Sequence, residues 1–163
     1  IAALVENGFT DGTVGIVYVN TSTNSTILRE EGFREALDGS NYEILETQYC
    51  EGDAAKAQTI AENYITEGVV GIFGANEGAA TGTGNAIKAS GSDSIVGVGF
   101  DKSDTLKGLI EDGYLYCTMA QNPDVMGKLG VQACIKALNG DDLGGEVTDT
   151  GVTVLNKDNV ADF

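Results

Sequence analysis

The chain has 163 residues, 42% of them hydrophobic, and its 25 acidic and 9 basic residues give a formal net charge of −16. A domain of this length can bury roughly two-thirds of its unfolded surface, but so acidic a chain lacks the clustered lysine and arginine that binding to nucleic acid requires. Histidine is absent and the three cysteines form no C-x-x-C pair, so the usual zinc sites, histidine-based catalysis and a disulfide framework are not expected.

Strands and helices alternate along the whole chain. Apolar runs bounded by turn residues predict strands at 13–19, 42–49, 69–73, 94–100, 114–120 and 150–155. Helices are predicted between them, including two at about 79–89 and 124–138. The glycines that end the predicted helices are Gly39, Gly68, Gly91, Gly113 and Gly140. This order predicts right-handed βαβ crossovers and an α/β fold with a doubly wound parallel sheet.

Three of the predicted strands run into a polar residue, namely Asn76, Asp101 and Gln121. Ligands of open α/β sheets bind beyond the carboxyl ends of the strands, so we expect these side chains to form a site. A carboxylate accepts hydrogen bonds from hydroxyl groups and an amide both donates and accepts, which suits a polyol. Each residue also has a structural alternative. Asn76 can cap the next helix, Asp101 can cap the turn before Ser103, and Gln121 can satisfy loop backbone groups.

The segment GANEGAATGTG at 74–84 is similar to a phosphate-binding loop in composition but not in spacing. A dinucleotide fingerprint needs G-x-G-x-x-G directly after the strand, whereas Gly82 and Gly84 come about eight residues too late. No G-K-[ST] follows. We therefore interpret the segment as a helix of small residues packed closely on the sheet.

The strand ends belong to a longer series of motifs: Arg29-x-x-Gly32-Phe33, Asn76-Glu77, the run 98–101, the run 120–123 with Met126-Gly127, and the closing run 150–155. In this order the motifs resemble those of the ribose-type (type I) periplasmic sugar-binding proteins and of the related lactose-repressor-type sensor domains. The resemblance implies a flavodoxin-like, three-layer α/β/α lobe. It also implies that Asn76, Asp101 and Gln121 bind sugar hydroxyls, with no cofactor, metal or catalytic residue.

The resemblance further implies the solute-binding component of an ABC importer, which is not an enzyme. Its partners would be a monosaccharide or related polyol and the membrane permease. The expected location is extracytoplasmic, in a bacterial periplasm or on the cell surface as a lipoprotein. The chain begins at Ile1 without a methionine, and we interpret it as a processed piece whose targeting signal would lie upstream.

Residues 1–163 would then form the carboxyl lobe of a two-lobe protein whose amino lobe is missing, so the piece alone would bind ligand weakly. The helical region 124–143 is expected to pack on that amino lobe or on a partner chain. Because an unpaired apolar helix must find another surface, we also predict a possible dimer, or swapping, through the helix at 124–138.

Two positions depart from the pattern of the members that bind ribose. Ile27 stands where they carry a second arginine, and Gly52 stands where an aromatic residue is expected just before Asp53. A sugar or polyol other than ribose is therefore plausible. Thr23 and Asn24, in the loop after the first strand, are further candidates for polar contacts with the ligand.

Two other functions remain open from the sequence. The first is the effector-sensing core of a lactose-repressor-type transcriptional regulator, which would share the sheet and much of the site. The second is a flavodoxin-like enzyme or flavin carrier, which would use the hydroxyl-rich loop 20–25 to bind phosphate.

Overall fold

The core of the protein is a mixed β-sheet, in which every described pair of neighbouring strands is parallel except the last. The computed structural model describes residues 1–145 and 147–163. The strands are β1 (Gly12–Tyr18), β2 (Tyr42–Ile44), β3 (Gln48–Tyr49), β4 (Gly71–Gly74), β5 (Val96–Phe100), β6 (Cys117–Gln121) and β7 (Val152–Asn156). Their order is β2-β1-β4-β5-β6-β7, and β3 also pairs with β1.

Helices cover both faces of the sheet, which makes the three-layer α/β/α arrangement that the sequence predicts. They are α1 (Ala2–Glu6), α2 (Asn24–Leu37), α3 (Ala54–Glu67), α4 (Glu77–Ser90), α5 (Asp104–Glu111) and α6 (Pro123–Leu138), with a short 3₁₀ turn at Val160–Asp162. Apolar residues of α1 and α2 pack on one face of the sheet, and those of α3, α4 and α5 pack on the other.

The strand predicted at 42–49 is wrong as a single element, because it divides into β2 and β3. The residues between the two strands turn their polar groups toward neighbouring helices. The Thr47 hydroxyl donates to Glu30 of α2 at 2.7 Å, and the Glu46 carbonyl accepts from the Tyr64 hydroxyl of α3 at 2.6 Å. The sequence pattern also misses α1, whose five residues are too few for a periodic signal.

The strand predicted at 150–155 is confirmed as β7, which adds an antiparallel strand beside β6 to the predicted doubly wound parallel sheet. Strand β6 ends at Gln121, on the carboxyl edge of the sheet, and α6 begins there at Pro123. The chain returns to the same edge, since Val152 pairs with Gln121. A strand that enters from the edge at which its neighbour leaves must run in the opposite direction.

Helix α6 is confirmed, and none of its 16 residues is buried within the described chain. Its apolar side chains Val131, Ile135 and Leu138 are 61%, 54% and 87% exposed. Within the described residues, no helix is long and apolar enough to cross a lipid bilayer.

The run 74–84 predicts a helix packed closely on the sheet, and an ideal Cβ at Gly99 of β5 would lie 2.6 Å from the Ala80 Cβ of α4. The small residues of α4 also allow close packing against α3. An ideal Cβ at Gly82 would lie 2.5 Å from the Ala54 carbonyl oxygen and 2.5 Å from the Ala57 Cβ. Backbone and side chain of α3 therefore occupy the space that any other residue at this position would need. The helix begins at Glu77 and not near residue 79, because Asn76 caps it.

We predict that Gly82→Ala destabilises the fold by about 1–3 kcal/mol, since a methyl group there must push α3 away from α4. Urea unfolding followed by circular dichroism measures the change. The matched control is Gly108→Ala in α5, where nothing lies within 4 Å of the added Cβ. The control should be neutral or stabilising by up to roughly 1 kcal/mol. Equal destabilisation by both variants would contradict the close-packing explanation.

Tyr64 joins α3 to the sheet through a buried hydroxyl. Its oxygen lies 2.6 Å from the Glu46 carbonyl oxygen and 3.2 Å from that of Ile16, and the residue is 3% exposed. Burial disfavours the phenolate and raises the pKa of Tyr64 from 10.0 to about 12. The neutral, hydrogen-bonded form is therefore the form that stabilises the fold.

Because this pKa is raised on folding, the stabilisation is complete below pH 10 and decreases as the pH rises toward 12. We predict that Tyr64→Phe lowers the free energy of unfolding at pH 7 by about 1–3 kcal/mol, through loss of the buried bond. The difference between wild type and variant should become smaller from pH 10 to 12 in urea unfolding experiments. A difference that grows over this range would contradict the assignment.

Candidate functional site

The candidate site lies at the carboxyl edge of the sheet, next to its topological switch point. After β1 the chain continues to β2 and β3 on one side, and α3 then carries it to β4 on the other side of β1. The crevice beyond such strand ends is where open α/β sheets bind ligands. The loop after β3, Asn76 after β4, Asp101 after β5 and Gln121 at the end of β6 all lie along this edge.

Asp101 connects three elements through its carboxylate. Its Oδ1 accepts a hydrogen bond from Gln121 Nε2 at 2.6 Å, and its Oδ2 accepts one from the backbone N–H of Glu77 at 3.1 Å. Its backbone is left-handed, with φ of 77°, a conformation that costs most non-glycine residues free energy but that aspartate adopts more readily. Asp101 does not cap α5, because Ser103 accepts from the Leu106 N–H there.

Asn76 caps α4, so the structural alternative for this residue is correct. Its Oδ1 accepts from the backbone N–H of Ala79 at 3.0 Å. The cap uses only the oxygen and leaves the Nδ2 donor for another partner. That nitrogen faces Gly52, where an added Cβ would lie 3.6 Å from it. Capping and ligand binding are therefore compatible roles for the two ends of one amide.

Arg29 reaches this edge from α2 and is missing from the predicted set of site residues. Its Nη1 donates to the Ala75 carbonyl at 2.8 Å, and its guanidinium lies 3.7 Å from the centre of the Phe100 ring. These neighbours directly precede Asn76 and Asp101. Burial lowers the pKa of Arg29, and the Asp101 charge acts against that shift. The signal in the sequence was its place in the Arg29-x-x-Gly32-Phe33 motif.

Within the described chain, Thr23 and Asn24 make no hydrogen bond to the other three predicted residues. The Thr23 hydroxyl donates to Asn20 Oδ1 at 2.9 Å, which closes the loop before α2. Asn24 is exposed in the first turn of that helix. Within the described chain a hydrogen bond joins Gln121 to Asp101, whereas Asn76 bonds to neither of them and shares only their position along the edge. These three residues form the candidate site, and the two loop residues remain predictions.

A cavity of about 250 Å³ opens at the edge, lined by Glu77, Asp101, Lys102, Gln121, Pro123 and Met126. It is below the roughly 300–1,000 Å³ of complete small-molecule sites. Amides and a carboxylate in this arrangement can bind hydroxyl groups, while the described side chains form no cluster of three or more potential metal ligands. A cavity of about 290 Å³ at the opposite edge, near Asp93 and Tyr114, contains none of the predicted site residues.

Comparison with known sequences gives one family and several relatives. Residues 1–142 match the model of the periplasmic binding protein domain. The chain is 32% identical over 121 residues to the ribose import binding protein RbsB of Haemophilus influenzae and 31% identical to that of Escherichia coli. Each alignment covers 73% of this chain but only 41% of the relative, so the chain spans less than half the length of the curated relatives it matches.

The solved structures that are similar to this chain include two proteins from Agrobacterium vitis. An ABC transporter solute binding protein bound with α-D-tagatopyranose superposes with a TM-score of 0.91 and 29% identity, over 99% of this chain and 55% of that one. Another, with bound D-fucose, superposes with a TM-score of 0.88 and 31% identity, over 98% of this chain and 56% of that one. The α/β fold is therefore shared over nearly the whole length of the present chain.

Proposed function

Because the chain belongs to the family of periplasmic binding protein domains, we propose that it is the carboxyl lobe of a solute-binding protein of an ABC importer. Its ligand is a monosaccharide or related polyol, bound between this lobe and a second one. The proposed protein works outside the cytoplasm of a bacterium, delivers the ligand to a membrane permease and catalyses no reaction. The bound sugars of the two Agrobacterium proteins support this ligand class.

The observation that carries the proposal is the polar network at the carboxyl edge. Asp101, Gln121 and Asn76 come from the ends of three neighbouring strands, and their hydrogen bonds already hold them in place. Ordered polar groups lose little conformational entropy when a ligand binds. We propose that Arg29 contributes further donors to the same ligand, since its bond to Ala75 uses only one of the five guanidinium N–H groups.

A regulator of the lactose-repressor type remains the alternative, because it would use the same edge to sense its effector. The relatives named above favour uptake, since their names describe import and transport proteins. Purification of the complete natural protein with its partners distinguishes the two functions. Recovery of a permease supports uptake, and recovery of specific DNA supports the regulator.

We predict that the chain binds monosaccharides weakly and that Asn76→Asp lowers the affinity about tenfold or more. The aspartate keeps an oxygen that can cap α4, so the free energy of unfolding should change by less than about 1 kcal/mol, but it lacks the amide donor. Chemical-shift titration by NMR with a monosaccharide panel measures the affinity. The control Asn63→Asp introduces the same charge on exposed α3 and should bind like the wild type. Equal affinity in all three proteins would remove Asn76 from the site.

We further propose that the exposed face of α6 packs on the second lobe in the complete protein, and on a second copy of the chain when it is alone. A helix with no buried residue needs such a partner, because its apolar side chains otherwise stay in water. We predict a concentration-dependent dimer in light scattering, weakened at least about tenfold by Ile135→Asp. The control is Leu28→Asp, at a 58% exposed leucine of α2, which should leave association unchanged. A monodisperse monomer at high concentration would contradict self-association.

A further inference from the structure

We propose that the side-chain amide of Asn159 closes the free edge of the β-sheet, and that β7 without this amide pairs with β7 of a second copy of the chain. Strand β7 is last in the order of the sheet, so one of its sides has no strand beside it within the described residues. The closure involves none of the candidate ligand residues and is independent of the proposed function.

The register of the sheet shows which backbone groups of β7 face the free edge. Met119 of β6 turns toward β5, because its carbonyl accepts from the Asp101 N–H at 2.9 Å. Val154 is the partner of Met119 in β7. In an antiparallel pair, the two residues of a non-hydrogen-bonded position turn their backbone groups away from each other. Val154 and the residues two positions away, Val152 and Asn156, therefore direct their N–H and C=O groups outward.

The amide of Asn159 occupies the central groups of this edge. Its Oδ1 accepts from the Asn156 N–H at 2.9 Å, and its Nδ2 donates to the Val154 carbonyl at 3.0 Å. The backbone N–H of Asn159 also donates to the Asn156 carbonyl at 3.3 Å. In a parallel ladder, one residue of a neighbouring strand would donate to that Val154 carbonyl and accept from that Asn156 N–H. A single side chain thus takes the place of a neighbouring strand residue.

The sequence of β7 makes this closure necessary. Residues 150–156, TGVTVLN, contain no charged residue and no proline, although charges and prolines are the usual protection of edge strands. Val152 and Val154 are 55% and 50% exposed. An uncharged run that is rich in β-branched residues and lies at an open edge is typical of segments that recruit a strand from another chain.

A second copy of β7 is the strand that fits the opened edge. Two antiparallel copies related by a two-fold axis at Val154 pair this residue with itself and pair Val152 with Asn156 of the second copy. The outward groups of all three residues then have partners, and the exposed valines of the two copies contact each other. Asn159 prevents this pairing, because it holds the Val154 carbonyl and both backbone groups of Asn156.

Sedimentation equilibrium measures the effect of opening the edge. All proteins carry Ile135→Asp, so that contacts through α6 do not contribute. Asn159→Ala should strengthen dimerisation at least about tenfold, because several backbone groups become free to pair. The matched control is Asn139→Ala, at an exposed asparagine that follows α6, and it should leave association unchanged. An Asn159→Ala protein that associates no more than this control overturns the inference.

A second substitution locates the contact. Val154→Lys, added to Asn159→Ala, places two ammonium groups opposite each other at the two-fold axis and should return association to the level of the control. Leu28→Lys adds the same charge at a 58% exposed leucine of α2 and should leave the dimer intact. If the two lysines have equal effects, the contact does not lie at β7 and the inference is wrong.

Amide hydrogen exchange, followed by NMR, tests the closure in the protein that keeps Asn159, and so does not depend on the folding of the alanine variant. After correction for intrinsic rates, the Asn156 amide should exchange at least about tenfold more slowly than the Val154 amide, which faces the open edge. In the Asn159→Ala protein, the Val154 amide should become protected as the concentration rises. Equal exchange of the two amides while Asn159 is present would overturn its role at the edge.

Discussion

The arrangement of the carboxyl edge depends on the two hydrogen bonds accepted by the Asp101 carboxylate. One comes from Gln121 on β6 and the other from the first N–H group of α4, so a single side chain holds the ends of three elements in register. The left-handed backbone at Asp101 costs free energy, of the order of 1–3 kcal/mol for a general residue and less for aspartate. That cost is offset where the carboxylate meets both donors.

The same edge also depends on how closely α3 and α4 approach one another. A Cβ at Gly78 would lie only 2.0 Å from the Gly52 carbonyl oxygen, so the loop before α3 lies directly against the first turn of α4. This contact places Gly52 beside the amide of Asn76. The glycines of the run 74–84 therefore allow two helices and a loop to meet where the strand ends open to solvent. The same close packing sets the shape of the candidate site.

The chain crosses this edge of the sheet twice, once before α6 and once after it. The chain leaves the sheet after Gln121 and returns before Val152, and Asn122 connects the two crossings through a hydrogen bond of 2.8 Å from its Nδ2 to the Thr150 carbonyl. A candidate ligand residue, Gln121, is thus the direct neighbour of the residue that joins the crossings.

Sequence reasoning recovered what depends on local periodicity and on strand-end position. The apolar runs and helix-ending glycines predicted the alternating elements, because side-chain period is a property of consecutive residues. The polar residues at the ends of β4, β5 and β6 were predicted to share one edge, and the structure places them along that edge as a candidate site. The motif order also led to the correct family.

Only the tertiary structure decided the rest. Arg29 comes to Ala75 from 46 positions earlier in the chain, β7 takes its direction from where α6 begins and where the chain returns, and Asn76 divides its amide between a cap and a free donor. Each of these features depends on contacts between groups that are distant in the sequence, and residue spacing along the chain does not specify such contacts.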